Sequence, residues 1–189
     1  ALTLLRMSHS TEIGVVEMGM NRLGEIEACS AMTMPTWAVM TNIGTAHIGN
    51  LGSKENILLA KMEILAGMTD TGFLLVNGDE PMLAKVNPNF YYPERQGAIP
   101  VIKQGLNDES GFTISDIVQE KSGIRFYFHE GLQKVSMFIP IAGKHNVANA
   151  VLAIRMALEL GMTLDEISEA FKYFVGNSLR SELVSINGV

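Results

Sequence analysis

Glu17, His47, Lys61 and a pair of asparagines, Asn146 and Asn149, carry the chemistry that this 189-residue sequence offers. In LLAKMEIL, residues 58–65, apolar side chains recur as Ile57 and Leu58, then Ile64 and Leu65, then Met68. The i, i+3, i+4, i+7 spacing of a helix makes positions 60 and 61 the missing members of that stripe, so Lys61 is expected to face the interior. An ammonium group there has three courses open. It snorkels from the edge of the stripe to water, or it pairs with a buried acid. Alternatively, desolvation strips its proton and leaves a reactive amine. A neutral amine can add CO2, and the carbamate formed is an anion able to stabilise a metal cluster.

Glu17 closes the apolar run of GVVEMGM, residues 14–20. That run has the form of a buried parallel strand with an acid at its carboxyl end. Ligands of open α/β sheets bind beyond those ends, and a hard cation such as magnesium takes a placed carboxylate oxygen. The same carboxylate would serve equally to cap the next helix or to pair with a basic neighbour. His47, in TAHIG, reads as a metal ligand, a phosphate contact or a hydrogen-bonded loop histidine. Asn146 and Asn149 lie three apart at a helix start and share a face. Each amide offers a donor and an acceptor, which suits a purine edge, although Asn146 could simply cap its helix. Arg180, in SLRSEL, is a lone cation suited to phosphate or to solvent.

The elements that must position these groups follow from the same patterning. Residues 1–7 read as the end of a helix, and a second helix is expected from Gly24 to about Met32. TWAVMTNIG (36–44) reads as a buried strand running into the loop of His47. Ser53 is a fair N-cap, with Glu55 in the first turn, for the helix of Lys61. GFLLVNGDEP (72–81) reads as a further strand ending in a turn, with a short helix after it. Strands alternating with helices predict an α/β fold, a doubly wound, mostly parallel sheet with helices on both faces. GFTISDIVQ, GIRFYFHE and KVSMFIPI predict three antiparallel strands, one turn falling at Glu130-Gly131, expected as a segment added to the main sheet. An amphipathic helix is predicted over 145–161, ending at Gly161. Thr163-Leu164-Asp165-Glu166 is a capping box for the next one.

Hydrophobic content of 47% with 18% charged residues describes a globular chain, long enough for one good core. A formal net charge of -6 gives no general attraction to nucleic acid or anionic lipid. A single cysteine, Cys29, excludes an intramolecular disulfide and suits a reducing cytoplasm. Ala28–Ser53 holds no charged residue, yet Pro35, Asn42, His47 and Asn50 make it a poor bilayer span. It reads as buried strand plus polar loop. No repeat or low-complexity tract occurs.

Five blocks, EMGMNRLGEI (17–26), TNIGTAHIGNLGS (41–53), AKMEI (60–64), NGDEP (77–81) and GKHNVANAVLAI (143–154), resemble in order and spacing the central ATPase domain of the Mur ligase family. The resemblance covers nearly the whole chain. It implies a central ATP-binding domain over 1–182, with 183–189 beginning a linker. The first block resembles the member that joins D-alanyl-D-alanine to UDP-N-acetylmuramoyl-tripeptide in peptidoglycan precursor synthesis. Another Mur ligase, a folylpolyglutamate synthetase or a non-catalytic nucleotide-binding module are the alternatives. ATP and Mg2+ are the implied cofactors. Glu17 and His47 match magnesium ligands, and Lys61 matches the family's carbamylated lysine, with Lys61 and His47 in the catalytic machinery. His145, Asn146 and Asn149 match adenine-side contacts, and Arg180 matches an arginine that reaches ATP. No G-x-x-G-K-[ST] loop occurs in the 189 residues, since Gly143-Lys144 lacks the following Ser or Thr. They are therefore expected to be a piece of the ligase without the P-loop strand, with weak ATP affinity and little or no activity alone.

Overall fold

The computed structural model describes residues 2–91, 98–106 and 112–174. In chain order, a short helix α1 (Leu2–Leu5) and a helix α2 (Glu25–Thr33) precede strand β1 (Trp37–Met40). Helices α3 (Ile48–Leu51) and α4 (Lys54–Met62) follow, and a 3-10 segment (Glu63–Gly67) leads to β2 (Phe73–Asn77). A 3-10 turn (Leu83–Lys85) and α5 (Pro88–Tyr91) come before β3 (Val101–Gln104). Then run β4 (Phe112–Glu120), β5 (Gly123–Glu130), β6 (Gln133–Ile139), α6 (Lys144–Glu159) and α7 (Leu164–Lys172). The chain divides into two compact units, residues 1–76 with 80–102, and 77–79 with 103–189.

The first unit is built on a sheet in the order β1–β2–β3. The first four residues of FLLVN are apolar because β2 is the middle strand, with Leu74, Leu75 and Val76 sealed from solvent. β1 runs parallel to it, Trp37 opposite Phe73 and Met40 opposite Val76. On the other side Leu74 N–H donates to Pro100 and Gly78 N–H donates to Gln104, both at 2.9 Å. The partners advance together along both strands, so this pairing is parallel too. β1 is an edge strand and alternates accordingly, Ala38 and Met40 buried and Val39 partly exposed.

GVVEMGM is not a strand. Residues 11–20 carry no regular structure, and Val15 is 88% exposed. An apolar run becomes a strand only when a neighbour accepts its ladder of hydrogen bonds. Among the described residues β1 pairs with β2 alone. Glu17 is thus held on an exposed segment leading into α2 and not at a sheet edge.

The three predicted antiparallel strands form, but as a sheet of their own in the order β4–β5–β6. Phe112 pairs with Glu130 across β4 and β5, and Ile124 with Ile139 across β5 and β6. The separation has a packing cause. Ile124, Phe126, Phe128, Met137 and Ile139 bury one face of this sheet with Val147, Val151 and Ile154 of α6 and Leu164 and Ile167 of α7. The parallel sheet fills a different core with Ile26, Ile57, Met62 and Leu65. The capping box of α7 is closed on both sides: Glu166 N–H donates to Thr163 Oγ1 and Thr163 N–H donates to the Glu166 carboxylate at 2.8 Å. No helix among the described residues is long and apolar enough to cross a membrane.

Candidate active site

Lys61 owes its position to how α4 starts and stops. Ser53 caps the helix, its Oγ accepting Asn56 N–H at 3.1 Å, and the Asn56 amide donates to Leu51 at 2.6 Å. The buried face is Ile57, Leu58, Ala60 and Met62. After Met62 the helix tightens into the 3-10 segment, so the apolar stripe continues through Leu65 and Met68 with a shorter period than an α-helix has. The gap in the stripe is filled by Ala60, fully buried, while Lys61 beside it is half-buried. Its Nζ donates to the Asn42 carbonyl at 2.8 Å. Burial pushes the ammonium below the ordinary lysine range, and the Glu80 carboxylate pulls it partly back. Desolvation therefore acts on this side chain, whose amine ends on a backbone carbonyl.

Asn42 lies in the loop after β1 that also carries His47. His47 is exposed, and its backbone is in the left-handed region at φ 65° as it opens α3. Its carbonyl accepts Asn50 N–H at 2.9 Å and Leu51 N–H at 3.0 Å. A histidine held there is uncommon and locally costly. The imidazole lies within electrostatic reach of Glu25, whose carboxyl is held below the usual range chiefly by Asn21 N–H, with Arg22 and His47 adding to it. Asn21 N–H reaches the Glu25 carboxylate at 2.6 Å. Glu25 thus fastens the turn at Asn21 and Arg22 to α2. Among the described residues no three His, Cys, Asp or Glu side chains gather at a metal-holding position.

In the second unit, α6 begins with Gly143 at φ 101°. The turn demands glycine, and a Cβ there, 2.6 Å from the His145 ring, would also oblige that exposed imidazole to turn aside. Asn146 is half-buried, its amide nitrogen donating to the Ala142 carbonyl at 2.5 Å, which braces the turn into the helix. Lys144, His145 and Asn149 are exposed around it. Asn146 and Asn149 do share a helical turn, while one amide is already engaged by the backbone. Arg180 lies outside the described residues, as does the expected boundary at residue 182.

Three carboxylates in the quoted blocks have structural partners that patterning did not reveal. Glu80 accepts Met82 and Leu83 N–H, each at 2.9 Å, and faces the Lys61 charge. Asp79 accepts Leu106 N–H at 2.7 Å and packs where any Cβ on Gly105 would collide with it. Glu63 is buried and accepts Gly24 N–H at 2.7 Å. The signal available was their presence in AKMEI and NGDEP. Their partners are distant in sequence or lie in turns.

Comparison with known proteins decides the family, for residues 1–157 match the Mur ligase middle domain. The chain belongs to the Mur ligase family. This Mur ligase domain is 36% identical over 183 residues to the UDP-N-acetylmuramoyl-tripeptide--D-alanyl-D-alanine ligase of Bacillus subtilis (strain 168), covering 97% of the chain and 37% of that relative. The ligase of the same name from Escherichia coli (strain K12) is 30% identical over 167 residues, covering 88% and 36%. The chain thus spans little more than a third of these relatives' length. A crystal structure of MurF from Acinetobacter baumannii superposes with a TM-score of 0.83 at 27% identity, covering 97% of this chain and 39% of that one. The Thermotoga maritima MurF ligase, solved in complex with ADP, shares the fold at 19% identity and a TM-score of 0.68, covering 83% and 34%.

Proposed function

We propose that this domain is the ATP-binding centre of a ligase that joins D-alanyl-D-alanine to UDP-N-acetylmuramoyl-tripeptide. The observation that carries the reading is the half-buried Lys61, its amine on the Asn42 carbonyl and its proton weakened by burial, within a Mur ligase middle domain. The neutral Nζ attacks CO2: an N–C bond forms, one C=O π pair moves onto oxygen, and the nitrogen's surplus proton leaves to solvent. The product carbamate offers two oxygens where an ammonium offered none. With the Glu17 carboxylate it makes a set of hard oxygen donors, which fits magnesium, and His47 would complete the protein's share. Bound there, the ion supplies charge neutralisation on the phosphates of ATP.

The chain's own residues do the positioning. Asn149 and His145, with the remaining capacity of the Asn146 amide, hold the adenine side of ATP. Arg180 steadies the phosphates. The tripeptide carboxylate takes the γ-phosphoryl group and ADP departs. The amine of D-alanyl-D-alanine then attacks the acyl phosphate, a C–N bond forms, phosphate leaves, and the amine proton is lost to solvent. Little covalent work falls to the protein, and alignment supplies much of the rate.

A full-length ligase carrying this domain should release phosphate only when ATP, UDP-N-acetylmuramoyl-tripeptide and D-alanyl-D-alanine are all present. Lys61→Arg keeps a cation but cannot form the carbamate, and should lower kcat by about 10²–10³-fold. A different amine acceptor preferred over D-alanyl-D-alanine, or an unaffected Lys61→Arg enzyme, would refute the reading.

A further inference from the structure

Among the described residues an apolar groove lies uncovered between α6 and α7. Ala153 and Ala157 of α6 line it with Ile167, Ala170 and Phe171 of α7, and so does Phe174, the last described residue. Its volume is about 280 Å³, below the range of about 300–1,000 Å³ usual for small-molecule sites. Alanine, isoleucine, methionine and aromatic side chains make up the lining, which suits an aliphatic side chain better than a polar ligand. Just after α7, Tyr173 is 76% and Phe174 44% exposed. Adjacent aromatics beside an open apolar groove mark a surface that something covers.

The occupant at hand is the chain itself, which continues directly from Phe174 through residues 175–189, outside the described residues. Gly176, Asn177 and Ser178 are turn-forming residues, and Leu179 is the first large apolar side chain after them. Leu179 stands five residues beyond Phe174, a reach of at most about 18 Å and enough for the chain to double back onto the groove. Ala153 follows Asn149 by four residues on α6, so the two share a face one helical turn, about 6 Å, apart. We propose that Leu179 is a positioning residue: seated in the groove, it holds Arg180 beside the Asn149 face of α6, where the guanidinium meets ATP. The role rests on the reading of Arg180 as the arginine that steadies the phosphates, whereas the seat stands without it.

A full-length ligase carrying this domain tests both parts. With its other cysteines changed to serine, Ala153→Cys combined with Leu179→Cys should close an intramolecular disulfide, which needs Cβ atoms about 3.5–4.5 Å apart. Lys144→Cys combined with Leu179→Cys should not. Leu179→Asp should raise KM for ATP by about tenfold, the effect of losing one charge-assisted contact, with a smaller change in kcat. Leu179→Met should restore it. Ala153→Leu, which fills the groove from its wall, should also raise KM for ATP and add little to Leu179→Asp in the double variant. A contact that only braced the fold would lower the unfolding temperature and leave KM for ATP alone. No disulfide between residues 153 and 179, or one joining two copies, overturns the seat. A disulfide with KM for ATP unmoved by Leu179→Asp, while Arg180→Ala raises it, overturns the positioning role alone. Should Arg180→Ala leave KM for ATP unmoved as well, the reading of Arg180 fails and takes that role with it.

Discussion

Replacing Gly67 with alanine tests whether α2 is packed as tightly against the segment after Lys61 as its hydrogen bonds imply. The added Cβ would sit 2.1 Å from the Ser30 carbonyl oxygen, 2.3 Å from its carbon and 2.7 Å from Ala31 nitrogen. All three are backbone atoms, so no rotamer can yield. Comfortable contact needs about 3.5 Å, which obliges the backbones to part by about 1.4 Å in a close-packed interior. A movement of that size breaks both Ser30 hydrogen bonds, now 2.5 Å and 3.1 Å long. Stranding those buried groups costs about 1–3 kcal/mol each, and the overpacking about 1–3 kcal/mol more. Because the losses share one movement they do not add fully, and the stiffer unfolded chain returns about 0.4–1 kcal/mol. The net expectation is about 3 kcal/mol lost from α2. Hydrogen exchange in the full-length ligase should register it as about 10²-fold faster exchange for the α2 amides, with those of α6 as internal reference. Gly49→Ala, where a Cβ meets nothing within 4 Å, is the matched control. Unchanged protection of α2 in Gly67→Ala would refute the packing argument.

Stripped of CO2, Lys61 should react with amine-directed reagents ahead of the exposed Lys54 at mildly alkaline pH, because its lowered pKa leaves more neutral amine there; peptide mass spectrometry reads the order, and equal labelling would count against it. The sign extends to stability: the protonated form is disfavoured in the folded state, so Lys61's contribution should improve as pH climbs through its lowered pKa to the ordinary lysine value, and Lys61→Met should flatten that stretch of the pH–stability curve. Gly143→Ala forces an L-residue to φ 101°, strain of about 1–3 kcal/mol, and displaces the His145 ring, so it should raise KM for ATP by about fivefold or more with a smaller effect on kcat. Thr163→Ala should fray the first turn of α7 by about 1 kcal/mol, seen as faster exchange of residues 164–167. In the unaltered protein that turn should loosen as pH falls through the lowered pKa of Glu166, since its carboxylate holds Thr163 N–H only when ionised.

Patterning in the chain foretold those features whose causes are local. Ser53 and the Thr163–Glu166 box cap helices through neighbours three residues away, and both bonds form. The half-burial of Lys61 follows from its place beside Ala60 in a helical stripe. GVVEMGM misled because an apolar run specifies a wish to be covered, not the partner that covers it, and Val15 remains in solvent. The β4–β6 strands were legible one by one, but the choice between joining the parallel sheet and forming a separate one depends on which core α6 and α7 complete. Glu63 was invisible for a related reason: no periodicity connects it to Gly24.

The central claim is that Lys61 exchanges its charge for a carbamate that helps hold magnesium. Carbon NMR of the full-length ligase in isotopically labelled bicarbonate tests it most directly. The account predicts one carbamate resonance that shifts on adding Mg2+ and ATP and is missing from Lys61→Arg. A spectrum without that resonance, in an enzyme that still turns over, would contradict it.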